Sequence, residues 1–361
     1  MKSSLSLISL VFLASVISFP HKAQASLKLF GTSSAKTKTI YLADADVEAK
    51  GHFNRGLEYS KQGKIALAVN EYTKTIELDP DFVEAYYNRG TLYQDQGKFN
   101  LAKVDFDRAI ELNPNFARAF HNRGILYISQ GIFNLAEADF NQAIEINPNF
   151  TRAYISRGKI YRSQGNLDLA EVDYNRAIEL NSDYEDVYVS RGILYLLQGQ
   201  LNLAETDFTH AITINPNYAE AYYNRGALYI NQGKLDLAEA DLNRAIKLNS
   251  QSTTKDLGNS PDSSLQIDAN EAKLYFHRGM VYQNQNKFDL AELDYVTAVQ
   301  LNPNFAEAYA NLGLSQINRG NITDATRNLE KAHQLLLLQG NSNLADKVAN
   351  WLEIIEQETS Q

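Results

Sequence analysis

Seven times along the chain an arginine that precedes a glycine is followed sixteen residues later by a carboxylate. The pairs are Arg55 with Glu71, Arg89 with Asp105, Arg123 with Asp139, Arg157 with Asp173, Arg191 with Asp207, Arg225 with Asp241 and Arg278 with Asp294. A guanidinium presents a planar fork of donors that matches a carboxylate, so each arginine could grip an acidic ligand or its own acidic partner. Other chemistry is poorly supplied. The six histidines, His21, His52, His121, His210, His277 and His333, show no metal-ligand spacing, and no nucleophile elbow, phosphate loop or dinucleotide fingerprint occurs. With no cysteine there is neither a disulfide nor a thiolate site. The sequence therefore predicts no catalytic residue, no metal and no cofactor; the chain reads as a non-enzyme.

Composition narrows the class further. Apolar residues make up 44% and charged residues 21%, which excludes wholesale disorder. The formal charge of −9 argues against general nucleic-acid binding, which needs a basic footprint. Met1 and Lys2 precede an apolar run from Leu5 to Phe19, then Pro20 and the triplet Ala23-Gln24-Ala25. These are the parts of a signal peptide, and the run is shorter than the roughly 20 residues a membrane span requires. Cleavage near Ala25 and export to a periplasmic or extracellular compartment are expected. Membrane association would arise only through partners or an uncleaved signal.

What must position the arginines emerges from the internal period. Gly56, Gly90, Gly124, Gly158, Gly192 and Gly226 stand 34 residues apart; Gly279 and Gly313 continue the series after one 19-residue insertion. Numbering each unit so that this glycine is position 8, tyrosine fills position 11 in seven units and alanine fills position 20 in all eight. Positions 4, 8 and 11 share one helix face, as do 20, 24 and 27 of a second helix. Glycine at position 15 separates the two, and proline at position 32 (Pro80, Pro114, Pro148, Pro216, Pro303) ends the second. Each unit is a helical hairpin. Positions 7 and 23 lie eight residues either side of the turn, so the arginine and the carboxylate should meet inside the hairpin. The eighth unit loses both together, having Leu312 and Asn328.

In these positions the sequence resembles the tetratricopeptide repeat family over about residues 48 to 338, departing from it at position 7, where the family usually has leucine. The resemblance implies an all-α fold, a right-handed superhelical solenoid of about eight helix-turn-helix repeats. A polar insertion at 251–270 should be a loop between repeats 1–6 (residues 48–250) and repeats 7–8 (residues 271–338). The segment 339–361 supplies a capping helix around Trp351, Leu352 and Ile355, covering the exposed apolar end. Residues 26–47 read as a flexible arm. Glycine at 8 and alanine at 20 would let the helices approach, with aromatics at 4 and 24 filling the gap to the next hairpin.

The resemblance further implies a concave groove lined by positions 2, 5, 9, 12 and 13 of each first helix. Carried onto this chain, its central stretch comprises Arg118, His121, Ile125 and Ile128, then Arg152, Ile155, Lys159 and Arg162, then Val189, Ile193 and Leu196. Apolar anchors and four cations on an acidic protein suggest that the groove takes an extended or helical acidic segment of a partner protein. A self-associating structural component of an envelope complex is the alternative. A third reading, a polysaccharide-binding module, would use Tyr87, Tyr223 and Phe276 as sugar platforms. A chaperone-tail clamp is not expected, since Phe53 and Leu57 stand where it wants a cation and an asparagine.

Overall fold

The structure, a computed structural model, describes residues 35–253 and 261–359. The expected signal peptide lies outside the described residues. Among them are seventeen α-helices and no strand. They fall into two compact units, one running to Pro80 and the other from Asp81. The first holds α1 (Ala35–Lys61) and α2 (Ile65–Leu78). The second holds α3 (Val83–Asp95), α4 (Phe99–Leu112), α5 (Ala117–Ser129), α6 (Phe133–Ile146), α7 (Thr151–Ser163), α8 (Leu167–Leu180), α9 (Glu185–Leu197) and α10 (Leu201–Ile214). It continues with α11 (Ala219–Asn231), α12 (Leu235–Thr253), α13 (Pro261–Asn284), α14 (Phe288–Leu301), α15 (Ala306–Asn318), α16 (Ile322–Leu338) and α17 (Ser342–Thr359).

Each hairpin closes through the same turn. The position-15 glycine takes a positive φ, 70° at Gly97 and 73° at Gly131, which frees the position-16 N–H to donate back to the position-11 carbonyl. Lys98 donates to Tyr93 and Ile132 to Tyr127, both at 2.8 Å. The seventh hairpin keeps the bond, Lys287 to Tyr282, with Asn286 at φ 59° in place of glycine; asparagine is the side chain that tolerates this region best.

Close approach of the paired helices explains position 8. A Cβ on Gly124 would lie 2.6 Å from Cε1 of Phe140, the position-24 ring of the same hairpin, and Gly158 and Gly192 stand equally close to Tyr174 and Phe208. The position-24 aromatic therefore fills its own hairpin over the glycine. It also reaches the next hairpin, as expected: Phe140 clusters with Ile160 of α7 and Phe106 with Leu126 of α5. Ala102, Ala136, Ala170 and Ala204 at position 20 are fully buried at the same seam. In the second unit, successive first helices also touch one another, α7 with α9 and α9 with α11. The first helices thus form the inner face of a helical repeat solenoid, and the second helices face outward.

Two segments differ from the sequence expectation. Residues 35–47, assigned to the arm, are the opening turns of α1. The 251–270 insertion is largely absorbed by its neighbours: α12 runs on to Thr253, and α13 begins at Pro261, a residue whose fixed φ suits a first helical turn. Composition suggested a loop there, yet a helix already under way extends through polar residues at little cost per residue. At the far end α17 packs on α16, with Ala345, Val348 and Ile355 buried and Trp351 and Leu352 against them.

Gly124→Ala should lower stability by up to about 2 kcal/mol, because overpacking against the Phe140 ring, about 1–3 kcal/mol, outweighs the helix-propensity gain of about 1 kcal/mol. Urea unfolding checks this; an alanine variant as stable as the parent would contradict the packing account.

Candidate functional site

The repeated arginine and carboxylate meet as a two-pronged fork. Arg123 donates from Nε to Asp139 Oδ2 at 2.8 Å and from Nη2 to Oδ1 at 2.7 Å. Arg89, Arg157, Arg191, Arg225 and Arg278 grip Asp105, Asp173, Asp207, Asp241 and Asp294 in the same way. In the first unit Glu71 instead accepts from Arg55 Nε at 2.8 Å and from Lys74, with His52 Nδ1 also at 2.8 Å. Burial works against ionisation of Glu71, but Lys74, Arg55 and His52 outweigh it and hold the carboxyl down at about 2.

Sequence reasoning missed the third prong. Arg123 Nη1 reaches back to Asp107 of the preceding hairpin at 2.7 Å, Arg157 to Asn141, Arg191 to Asn175 and Arg278 to Asn243, each at 2.7–2.8 Å, and Arg225 to Thr209 at 3.1 Å. The acceptors all occupy position 25, whose run of Asp, Asn, Asn, Thr and Asn is a row of side-chain oxygens that could have been read as a partner. Aromatic faces complete the enclosure: the Arg157 guanidinium lies 5.6 Å from the Tyr154 ring and 5.7 Å from that of Tyr161. Each such contact is worth roughly 0.5–1 kcal/mol at half-exposed sites. The arginine is thus a bolt between hairpins as well as a clasp within one.

Electrostatics show what the bolt costs. The bond from Asp139 holds Arg123 above its ordinary range despite burial. Burial pushes Asp105 and Asp294 up, and their arginines draw them back only in part. In a buried ion pair desolvation offsets much of the mutual attraction, so stranding one partner costs more than the pair adds. In the eighth hairpin Leu312 is buried against Tyr282 and Tyr295 of the seventh, while Asn328 donates to Gln316 at 2.8 Å. Packing and a neutral hydrogen bond there replace the charges.

The groove is more occupied than its sequence suggested. Ile155 and Val189 are 3% and 1% exposed, and Ile125, Ile128, Ile193 and Leu196 lie half-buried against core side chains. They pack between hairpins because the first helices touch each other, so the expectation of surplus apolar anchors is corrected. Lys159 pairs with Asp186 at 2.9 Å, and Arg162 donates to the Ser190 carbonyl at 3.2 Å. His121 is buried beside Phe140 and Phe150, within hydrogen-bond distance of Ser156 and Asn122; burial, with Arg152 nearby, holds its pKa below the ordinary value. Arg118 and Arg152 remain exposed and flank a cavity of about 560 Å³, which Tyr87, His121, Asn149 and Tyr184 help to line. The would-be sugar platforms are engaged in packing: Phe276 lies tilted 4.8 Å from Phe305, Tyr87 lies 5.0 Å from Phe116, and Tyr223 meets His277 edge-on. Among the described residues no group of His, Asp and Glu is arranged to hold a metal, and no helix is long and apolar enough to cross a membrane.

Asp173 tests the fork cleanly, because the third prong of Arg157 ends on the neutral Asn141. Arg157→Leu strands a buried carboxylate and should cost roughly 3–5 kcal/mol. Adding Asp173→Asn, the eighth hairpin's combination, should recover much of that loss. Equal melting losses for the single and double variants would remove the pairing argument.

Known sequences and structures share the hairpin repeat. Models of the tetratricopeptide repeat match residues 83–116, 117–150, 219–252 and 272–305, and a further TPR repeat model matches 56–97, 158–199 and 194–233. Together they take in more than half of the chain. Tetratricopeptide repeat protein 33 of Xenopus laevis is 32% identical over 90 residues, 25% of this chain and 34% of that protein. The chain therefore spans about a third of the length of that relative. A chain of the APC/C hetero-tetramer Cut9-Hcn1 superposes with a TM-score of 0.64 at 18% identity, over 89% of this chain and 56% of that one. A tetratricopeptide repeat protein from Parabacteroides merdae gives a TM-score of 0.54 at 22% identity, over 74% and 98%. At such identities the likeness concerns the fold. Proteins of this fold generally mediate protein–protein interaction and are generally non-catalytic. The chain belongs to the tetratricopeptide repeat family.

Proposed function

We propose that this protein is an interaction scaffold whose inner face, at α5 and α7, holds an acidic segment of a partner protein. One observation carries the reading. On a chain of net charge −9, Arg118 and Arg152 stand exposed with no carboxylate partner among the described residues, on either side of a cavity of about 560 Å³. A carboxylate entering there would find two guanidinium forks, with Asn149 and Tyr184 beside them as polar neighbours. Roughly two to three turns farther along α5, Ile125 and Ile128 are packed on the Phe140 and Ile160 cluster but only in part, so their remaining surface would meet an apolar side chain of the same segment. Lys159 and Arg162, already engaged, act on the walls rather than on the ligand.

Export to the periplasm or beyond is part of the proposal, supported by the Met1–Ala25 sequence, and would place the partner in the cell envelope or outside the cell. An N-terminal mass beginning near residue 26 agrees with this; an intact Met1 on the purified protein opposes it.

Arg118→Glu with Arg152→Glu should cut capture of envelope partners at least tenfold in a pulldown at low salt, and added salt should weaken the wild-type complex. Recovery of the same partners by both forms would contradict the site.

A further inference from the structure

The outward face of the second unit carries a feature that neither the hairpin clasp nor the groove uses. Position 19 is leucine in six of its hairpins: Leu101, Leu135, Leu169, Leu203, Leu237 and Leu290. All six are between 43% and 51% exposed. One helical turn on, position 22 is Val104, Ala138, Val172, Thr206, Ala240 and Leu293, with Val104, Val172 and Leu293 between 62% and 64% exposed. Positions three apart share a helix face, so each second helix from α4 to α14 shows an uncharged pair outward. Summed over six separate helices, the exposed area of these side chains is on the order of 800 Å², comparable with one side of a standard interface.

We infer that this stripe is the interface through which two copies of the chain associate. Its period is the first reason. A partner that covers the whole stripe must offer apolar side chains at the hairpin spacing, and a second copy does so by construction. A two-fold axis across the stripe would set the leucines of one copy into the gaps between those of the other in an isologous contact. Area is the second reason: on the order of 800 Å² per partner is what a standard stable interface requires. Charge is the third. None of the twelve side chains is charged; at position 21 Glu171 accepts from Tyr195, Glu205 from Tyr229 and Glu292 from Gln316, and of the aspartates that border the stripe at position 18, Asp168, Asp236 and Asp289, the second accepts from Gln285 and the third pairs with Arg319. Two copies of an acidic chain thus meet at this surface without opposing charges on the stripe itself. The groove remains free, because it lies on the first helices.

Sedimentation equilibrium on the chain as its host produces it should give a dimer mass in the micromolar range. Leu135→Ser, Leu169→Ser and Leu203→Ser together should raise the dissociation constant at least a hundredfold while leaving the helical circular dichroism unchanged. The absence of native cysteine supplies a second test that needs no destabilised variant. Leu169→Cys, treated with a short bis-maleimide, should cross-link into dimers far more efficiently than Arg152→Cys in the groove. A wild-type protein that is monomeric throughout that range, a serine variant of unchanged mass, or equal cross-linking at the two cysteines would overturn the inference. Loss of groove binding would leave all these readouts unaltered.

Discussion

A guanidinium with five donors and three directions is what seven of the eight hairpins of this protein share. In the second unit each position-7 arginine places two bonds on the aspartate of its own hairpin, and from Arg123 onward a third reaches the hairpin before it. Aromatic rings at positions 4 and 11 hold the plane of the group. No single hairpin can bury its apolar face, so the geometry between hairpins decides whether a continuous core forms. Lysine could not take this place, because a point charge on a flexible stem does not fix three acceptors in one plane.

The rest of the packing follows from keeping that plane. Glycine at 8 lets the position-24 ring lie beside the backbone, which draws the second helix in until position 23 comes within reach of position 7. The turn at position 15 sets the register, and the same bond survives at Asn286. Where the array ends, the constraint is released. Leu312 and Asn328 close the eighth hairpin without an ion pair, and the end of the core is covered by α17 instead of by another hairpin.

Much of this was legible in the sequence, for a physical reason. Strict periodicity lets seven copies of a pair and one joint loss report on one contact, so the Arg157 and Asp173 fork could be read without coordinates. The third prong was not, because its acceptor varies among Asp107, Asn141 and Thr209 and shares only an oxygen. In the groove, Ile155 and Val189 were read as anchors, but their burial depends on how closely successive first helices approach, which no position within one repeat encodes. Likewise the polar insertion read as a loop, although α12 and α13 extend into it. The residues that choose a ligand are those the repeat leaves unconstrained, and they carry no periodic signal.

The central claim is that the arginine couples neighbouring hairpins, and Asn141→Ala isolates that coupling. The substitution removes only the bond between Arg157 and the preceding hairpin, leaving the Asp173 fork in place. Native-state hydrogen exchange across α5–α8 is the measurement. If the bolt carries the coupling, the two hairpins open as one unit in the parent and at separate free energies in the variant, with a smaller denaturant dependence for each. Identical, concerted exchange in both proteins would show that apolar packing alone joins the hairpins, and the account would be wrong at its centre.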